Sequence, residues 1–128
     1  MDFEDIKRQQ LAARQFGVKV GHATFTLQIP TEFEKRLSYL TESGGRKFDS
    51  VTMIKVQRSM LLRAIVGWSG VQVKDALPDY AGDDSFAFEA GAAEVLMDAQ
   101  TEWEETLSTA LFERITSDKA AKDTAAKN

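Results

Sequence analysis

The segment 51–73, VTMIKVQRSMLLRAIVGWSGVQV, constrains this chain more than any other. Its large apolar residues Val51, Ile54, Leu61, Leu62, Ile65 and Val66 recur at helical spacings, and Met53, Val56 and Met60 widen the stripe. That pattern fits one broad face of a core helix. Asp49 and Ser50 stand before it as candidate N-caps, because their side-chain oxygens can accept an orphan amide. Gly67, Trp68 and Gly70 close it. Glycine past the last periodic residue is the common helix stop, which leaves Trp68 where helix gives way to turn.

The flanking segments add helices and a little strand. Residues 2–16 predict a helix with a narrow stripe of Phe3, Ile6, Leu11 and Phe16, marginal unless it docks on a neighbour and stopped by Gly17. Residues 18–29, VKVGHATFTLQI, change to period two and predict one bent strand or two short ones, with Gly21 and His22 at the bend. Such a pair is barely stable alone and must pack on helices or pair with another chain. Pro30 ends it. Thr31 and Glu34 then form a capping-box pattern ahead of a helix with Phe33, Leu37 and Leu40 turned inward. Ser43-Gly44-Gly45 ends that helix, and Arg46-Lys47-Phe48 makes a basic connector.

Residues 71–73 are short and extended, and residues 74–85 form an acidic loop. From Phe86 the pattern is helical again, with Asp84 or Ser85 as cap and a face of Phe88, Ala92, Val95, Leu96 and Ala99. Trp103, Leu107, Ala110, Leu111 and Ile115 continue it, as one long helix or as two with a kink near residues 98–101. Residues 117–128 carry no large apolar side chain and read as a flexible C-terminal tail. The expected fold is mainly α (α+β), with four to five helices and one or two short strands near residues 18–29. It forms a single globular domain over residues 1–116.

Composition narrows the function classes. The chain has 128 residues, 43% of them hydrophobic, and no cysteine. Disulfides, thiolate metal sites and cysteine nucleophiles are therefore absent. No apolar run reaches membrane-spanning length, and the acidic N-terminus lacks the build of a signal peptide. A formal charge of −4 hides an asymmetry. Residues 1–74 hold twelve basic against seven acidic side chains; residues 75–118 hold one against twelve. Such a split either packs within one chain or marks a partner or self-association.

No motif carries catalysis. His22 is the single imidazole, with no second ligand at metal-site spacing and no nucleophile elbow to join. The acidic loop does not match an EF-hand, and no glycine cluster matches a phosphate loop. The run from Gln57 to Leu77 scans as helix-turn-helix, with Arg46, Lys47, Lys55, Arg58 and Arg63 as basic residues in or before it. A sequence pI near 5.0 opposes phosphate binding. No enzyme activity, cofactor or metal is expected, and neither nucleic acid nor a membrane is an expected partner. Trp68, Phe86, Phe88 and Trp103 are the candidate partner-binding residues: core by default, groove-lining if an apolar helix docks.

One resemblance emerges. LLRAIVGWSGVQVKD, then a short acidic loop, then FAFEA before a long helical run, resembles the tail assembly chaperones of long-tailed, siphovirus-type bacteriophages. The residues that carry it are Leu61, Leu62, Val66, Gly67, Trp68, Gly70, Val71 and Asp75, then Phe86, Glu89 and Ala90. The strand leading into IPTEFE at 29–34 suits the same layout, so the likeness spans roughly residues 18–116.

The resemblance implies a protein that binds the tape-measure protein in the host cell cytoplasm, keeps it soluble during tail assembly and is absent from the mature virion. It implies self-association into a homo-oligomer, as an open spiral. It also implies a longer form made by ribosomal frameshifting that recruits the tail-tube protein. A structural tail or head–tail connector protein, and a small DNA-binding regulator, are the alternatives.

Overall fold

A computed structural model describes residues 1–45 and 49–127. The connector Arg46-Lys47-Phe48 lies outside the described residues. Among the described residues the chain is mainly helical, with a small antiparallel sheet. Six helices and three strands follow in the order α1 (Phe3–Arg14), β1 (Gln15–Val20), β2 (Ala23–Gln28), α2 (Glu32–Ser43), α3 (Ser50–Ala64), β3 (Ile65–Ser69), α4 (Val73–Ala76), α5 (Ala92–Ala99) and α6 (Thr101–Lys127).

The period-two segment forms a hairpin. β1 and β2 pair in register from Gln15 with Gln28 to Val20 with Ala23, leaving Gly21 and His22 as the turn. Gly21 takes φ +58°, as the first position of a type II′ turn requires. β2 alternates cleanly: Ala23, Phe25 and Leu27 are buried, and the residues between them are not. Gly17 does not stop α1. That helix ends at Arg14, and Gly17 sits inside β1.

The third strand corrects the expected helical stop. α3 ends at Ala64, and residues 65–69 pair antiparallel with β2, so that Phe25 faces Trp68 across the strands. A short apolar run of β-branched residues beside a helix cannot be assigned by periodicity, and pairing to an open edge of β2 decides it. A register shift between Thr26 and Leu27 fits β3 to the hairpin. With β3 in place, no helix-turn-helix forms at residues 57–77.

One core lies against the sheet. Phe25, Leu27, Leu61, Leu96, Leu107 and Leu111 are fully buried, with Ala64, Ile65, Val71, Ala93 and Met97 around them. α5 starts later than its pattern predicts. Residues 86–91 are not helical, and α5 begins at Ala92 with Gly91 at its N-cap. Its buried residues are Ala92, Ala93, Leu96 and Met97; Val95 faces solvent. The anticipated kink falls at Gln100, between α5 and α6. α6 continues as helix through Lys127, where the sequence reads as a flexible tail with no structure of its own.

Local capping follows the sequence closely. Asp49 caps α3 by accepting the Thr52 amide at 2.7 Å. At the start of α2, Thr31 accepts the Glu34 amide at 3.1 Å and Glu34 reaches back to the Thr31 amide at 2.9 Å. These satisfy donors that a helix start otherwise leaves unpaired.

Candidate functional site

The candidate aromatic residues gather around Phe25. Trp68 lies 5.8 Å from Phe25 between ring centroids, and Trp103 lies 6.0 Å from it, both edge-on. Phe86 meets Trp68 at a tilt at 5.5 Å, and Phe88 meets it edge-on at 5.0 Å. The Trp68 indole N–H donates to the Phe86 carbonyl at 2.7 Å, which ties the segment after the acidic loop to β3. Edge-to-face rings at these separations stabilise a core beyond their buried area. Trp68, Phe86 and Trp103 are partly buried, and Phe88 alone of the four presents an exposed ring. These aromatics therefore close one end of the hydrophobic core, with Phe88 on its rim.

A polar node locks the same end. His22 Nε2 lies 2.9 Å from Asp75 Oδ2, and that oxygen also accepts the Gln72 amide at 2.8 Å. Gln100 donates to the Asp75 carbonyl at 3.0 Å, and the His22 ring sits edge-on to Trp103 at 5.4 Å. Asp75 is buried, so His22 and the Gln72 amide offset the desolvation of its carboxylate. The node fastens the hairpin turn, α4 and the α5–α6 junction together. The histidine here acts as a structural fastener.

The opposite arrangement holds in the first helices. Phe33, Leu37 and Leu40 of α2, expected to point inward, face solvent, with Phe33 71% exposed. α2 instead turns Ser38 and Ser43 inward, and its packing is against α3. Small serine side chains let two helices approach closely, but Ser38 Oγ finds no hydrogen-bond partner among the described residues. Val51, Met53 and Ile54 in the first half of α3 are exposed as well. The buried part of α3 is Val56, Met60, Leu61 and Ala64. α1 buries no residue, and its Phe3 and Ile6 are exposed. The Arg14 guanidinium joins α1 to α2 through Glu34 at 2.7 Å and to the Ile29 carbonyl at 2.9 Å.

The amphipathic stripe of α2 is legible in the sequence, but period alone does not say whether a stripe meets its own core or another molecule. Isolated exposed apolar residues are ordinary; a helix that packs by its serines and exposes its phenylalanine and leucines is not.

No protein-family model, curated protein or solved structure matches this chain. Among the described residues no group of three or more histidine, aspartate or glutamate side chains is placed to hold a metal ion. None of the described helices is long and apolar enough to cross a membrane.

Proposed function

We propose that this chain is a stoichiometric binding protein of the tail-assembly-chaperone kind, which covers apolar helix faces of a tape-measure protein in the host cytoplasm and also associates with itself. The observation that carries this reading is the outward stripe Phe33, Leu37 and Leu40 on α2, backed by Val51 and Ile54 on α3. An exposed apolar stripe on a helix serves as one half of a helix-in-groove contact, reading its partner at the same helical spacing. The rigid aromatic end, closed around Phe25, supplies the scaffold on which the helices are held, and Phe88 extends the apolar surface at its rim. The acidic surface of the second half keeps such a complex dispersed. Stoichiometric binding needs no catalytic group.

The test is co-expression with a candidate tape-measure protein, a long helical tail protein from the same genome. The wild-type chain should render that protein soluble and co-purify with it. The triple variant Phe33→Ser, Leu37→Ser, Leu40→Ser should fold but lose the rescue. Purified mature particles should lack the chain. Its presence in particles, without any rescue, would replace the chaperone reading with that of a structural tail component.

A further inference from the structure

α1 is tied to the rest of the chain at its last residue, Arg14, through Glu34 and Ile29, while its apolar side is left open. It buries no residue, and Phe3 is 73% exposed and Ile6 46% exposed. A helix of this length is marginal in water unless its apolar side is covered. On α1 the stripe runs Phe3, Ile6, Gln10, with Lys7 on one flank and the N-cap Asp2, whose carboxylate also accepts the Asp5 amide at 2.8 Å, on the other.

A groove of matching size lies elsewhere. The outer face of α6 from Glu105 to Ala120, with Gln57 of α3 at its side, lines an open groove of about 780 Å³. Its floor is made of small side chains, Ser108, Thr116 and Ala120, around one half-buried ring, Phe112. Small residues let a second helix come close. At 1.5 Å per residue, α1 is about 18 Å long and this face of α6 about 22 Å.

We propose that α1 of one copy docks antiparallel in the α6 groove of a second copy. Charge fixes the register. Setting Lys7 level with Glu113 brings Asp2 level with Lys119 of α6. At about 100° per residue, Lys7 and Asp2 lie on opposite sides of the α1 stripe, and Glu113 and Lys119 lie on opposite sides of the α6 groove. In an antiparallel pair the two flanks that meet are Lys7 with Glu113 and Asp2 with Lys119, so both contacts are attractive. The same register puts Phe3 over Thr116 and Ala120 and Ile6 over Phe112. A parallel arrangement in this groove that sets Lys7 by Glu113 moves Asp2 away from Lys119 toward Ser108. This inference rests on the self-association in the reading above and names the elements that make it.

The chain has no cysteine, so single cysteines introduced by mutation report contacts cleanly. Phe3→Cys chains mixed with Thr116→Cys chains should form a disulfide-linked pair, whereas Phe3→Cys mixed with Val95→Cys should not. In sedimentation equilibrium, Phe3→Ser/Ile6→Ser should weaken self-association at least about thirtyfold, the size of one interface hot spot. Lys7→Glu should weaken it several-fold, and Lys7→Glu/Glu113→Lys should restore it. Oligomers that ignore these changes and give no Phe3–Thr116 link would overturn the α1 contact while leaving self-association standing. Chains that stay monomeric at every concentration would overturn both.

Discussion

Two regions of this molecule use the same kinds of residue in opposite ways. In the sheet region, β2 buries Ala23, Phe25 and Leu27, and aromatic rings from β3, α6 and the segment after the acidic loop close over them. In the helical region, α2 turns its serines inward and its phenylalanine and leucines outward. The first arrangement is what a chain does to hold its own fold. The second leaves apolar surface in water, at a cost that an ordinary monomer avoids. The difference separates the part of the sequence that stabilises this chain from the part available to another.

Mutations should divide along that line. Phe25→Ala empties a fully buried site flanked by two tryptophans and should destabilise by about 3–5 kcal/mol in urea unfolding. Gly70→Ala should cost about 2 kcal/mol. Residue 70 has φ +78°, and a Cβ there would sit 2.5 Å from the His22 carbonyl oxygen. Relief of that contact would pull the hairpin turn from Asp75, so the loss should also appear as a change in Trp103 fluorescence. If Phe25→Ala proved as mild as a surface change, the sheet region would not be the stabilising half.

Ser38→Ala probes the boundary between the two regions and carries the opposite sign. Its hydroxyl is fully buried without a partner among the described residues. Removing an unsatisfied buried hydroxyl should stabilise the α2–α3 pair by about 1 kcal/mol, seen as a higher urea midpoint. A clear destabilisation would mean that the hydroxyl is satisfied and that the serine face is built for this contact.

The sequence makes the local devices legible and leaves the long-range ones hidden. The caps of Asp49 and Thr31, the Gly21-His22 turn and the break near Gln100 all follow from neighbours a few residues apart. β3 is not legible, because Ile65 and Val66 continue the spacing of α3 and only the open edge of β2 makes them a strand. The start of α5 hides for a related reason. The Trp68 indole holds the Phe86 carbonyl, and that contact spans 18 residues. Of the candidate site, the aromatic residues were visible as a class, but their convergence on Phe25 depends on the sheet register. The direction of the α2 stripe was invisible, since Phe33, Leu37 and Leu40 have the same spacing whichever side they face.

The α2 stripe gives the sharpest contrast with Phe25. Phe33→Ser, Leu37→Ser or Leu40→Ser should each change stability by no more than about 0.5 kcal/mol, the range of surface substitutions. All three should nonetheless reduce capture of the tape-measure protein proposed as its partner. A stripe that destabilised the fold on truncation while leaving capture intact would place α2 with the core, and the comparison between the regions would fail.

The smallest expected effect concerns the cap that starts α3. The Thr52 amide donates to Asp49, which holds this carboxyl below the usual carboxylate range. The folded chain therefore binds the proton less readily than the unfolded chain. The stabilisation this provides is complete above the ordinary aspartate value of about 4 and is lost as pH falls through the lowered folded value. Asp49→Asn keeps a good N-cap but removes the titration and the negative charge that favours a helix N-terminus. Wild type should have the higher urea midpoint at pH 7, and the gap should close as pH falls through the lowered folded value. Because the group is fully exposed, the gap should also shrink in high salt. A gap of constant size across this range would show that the charge on Asp49 contributes nothing and that only its cap geometry matters.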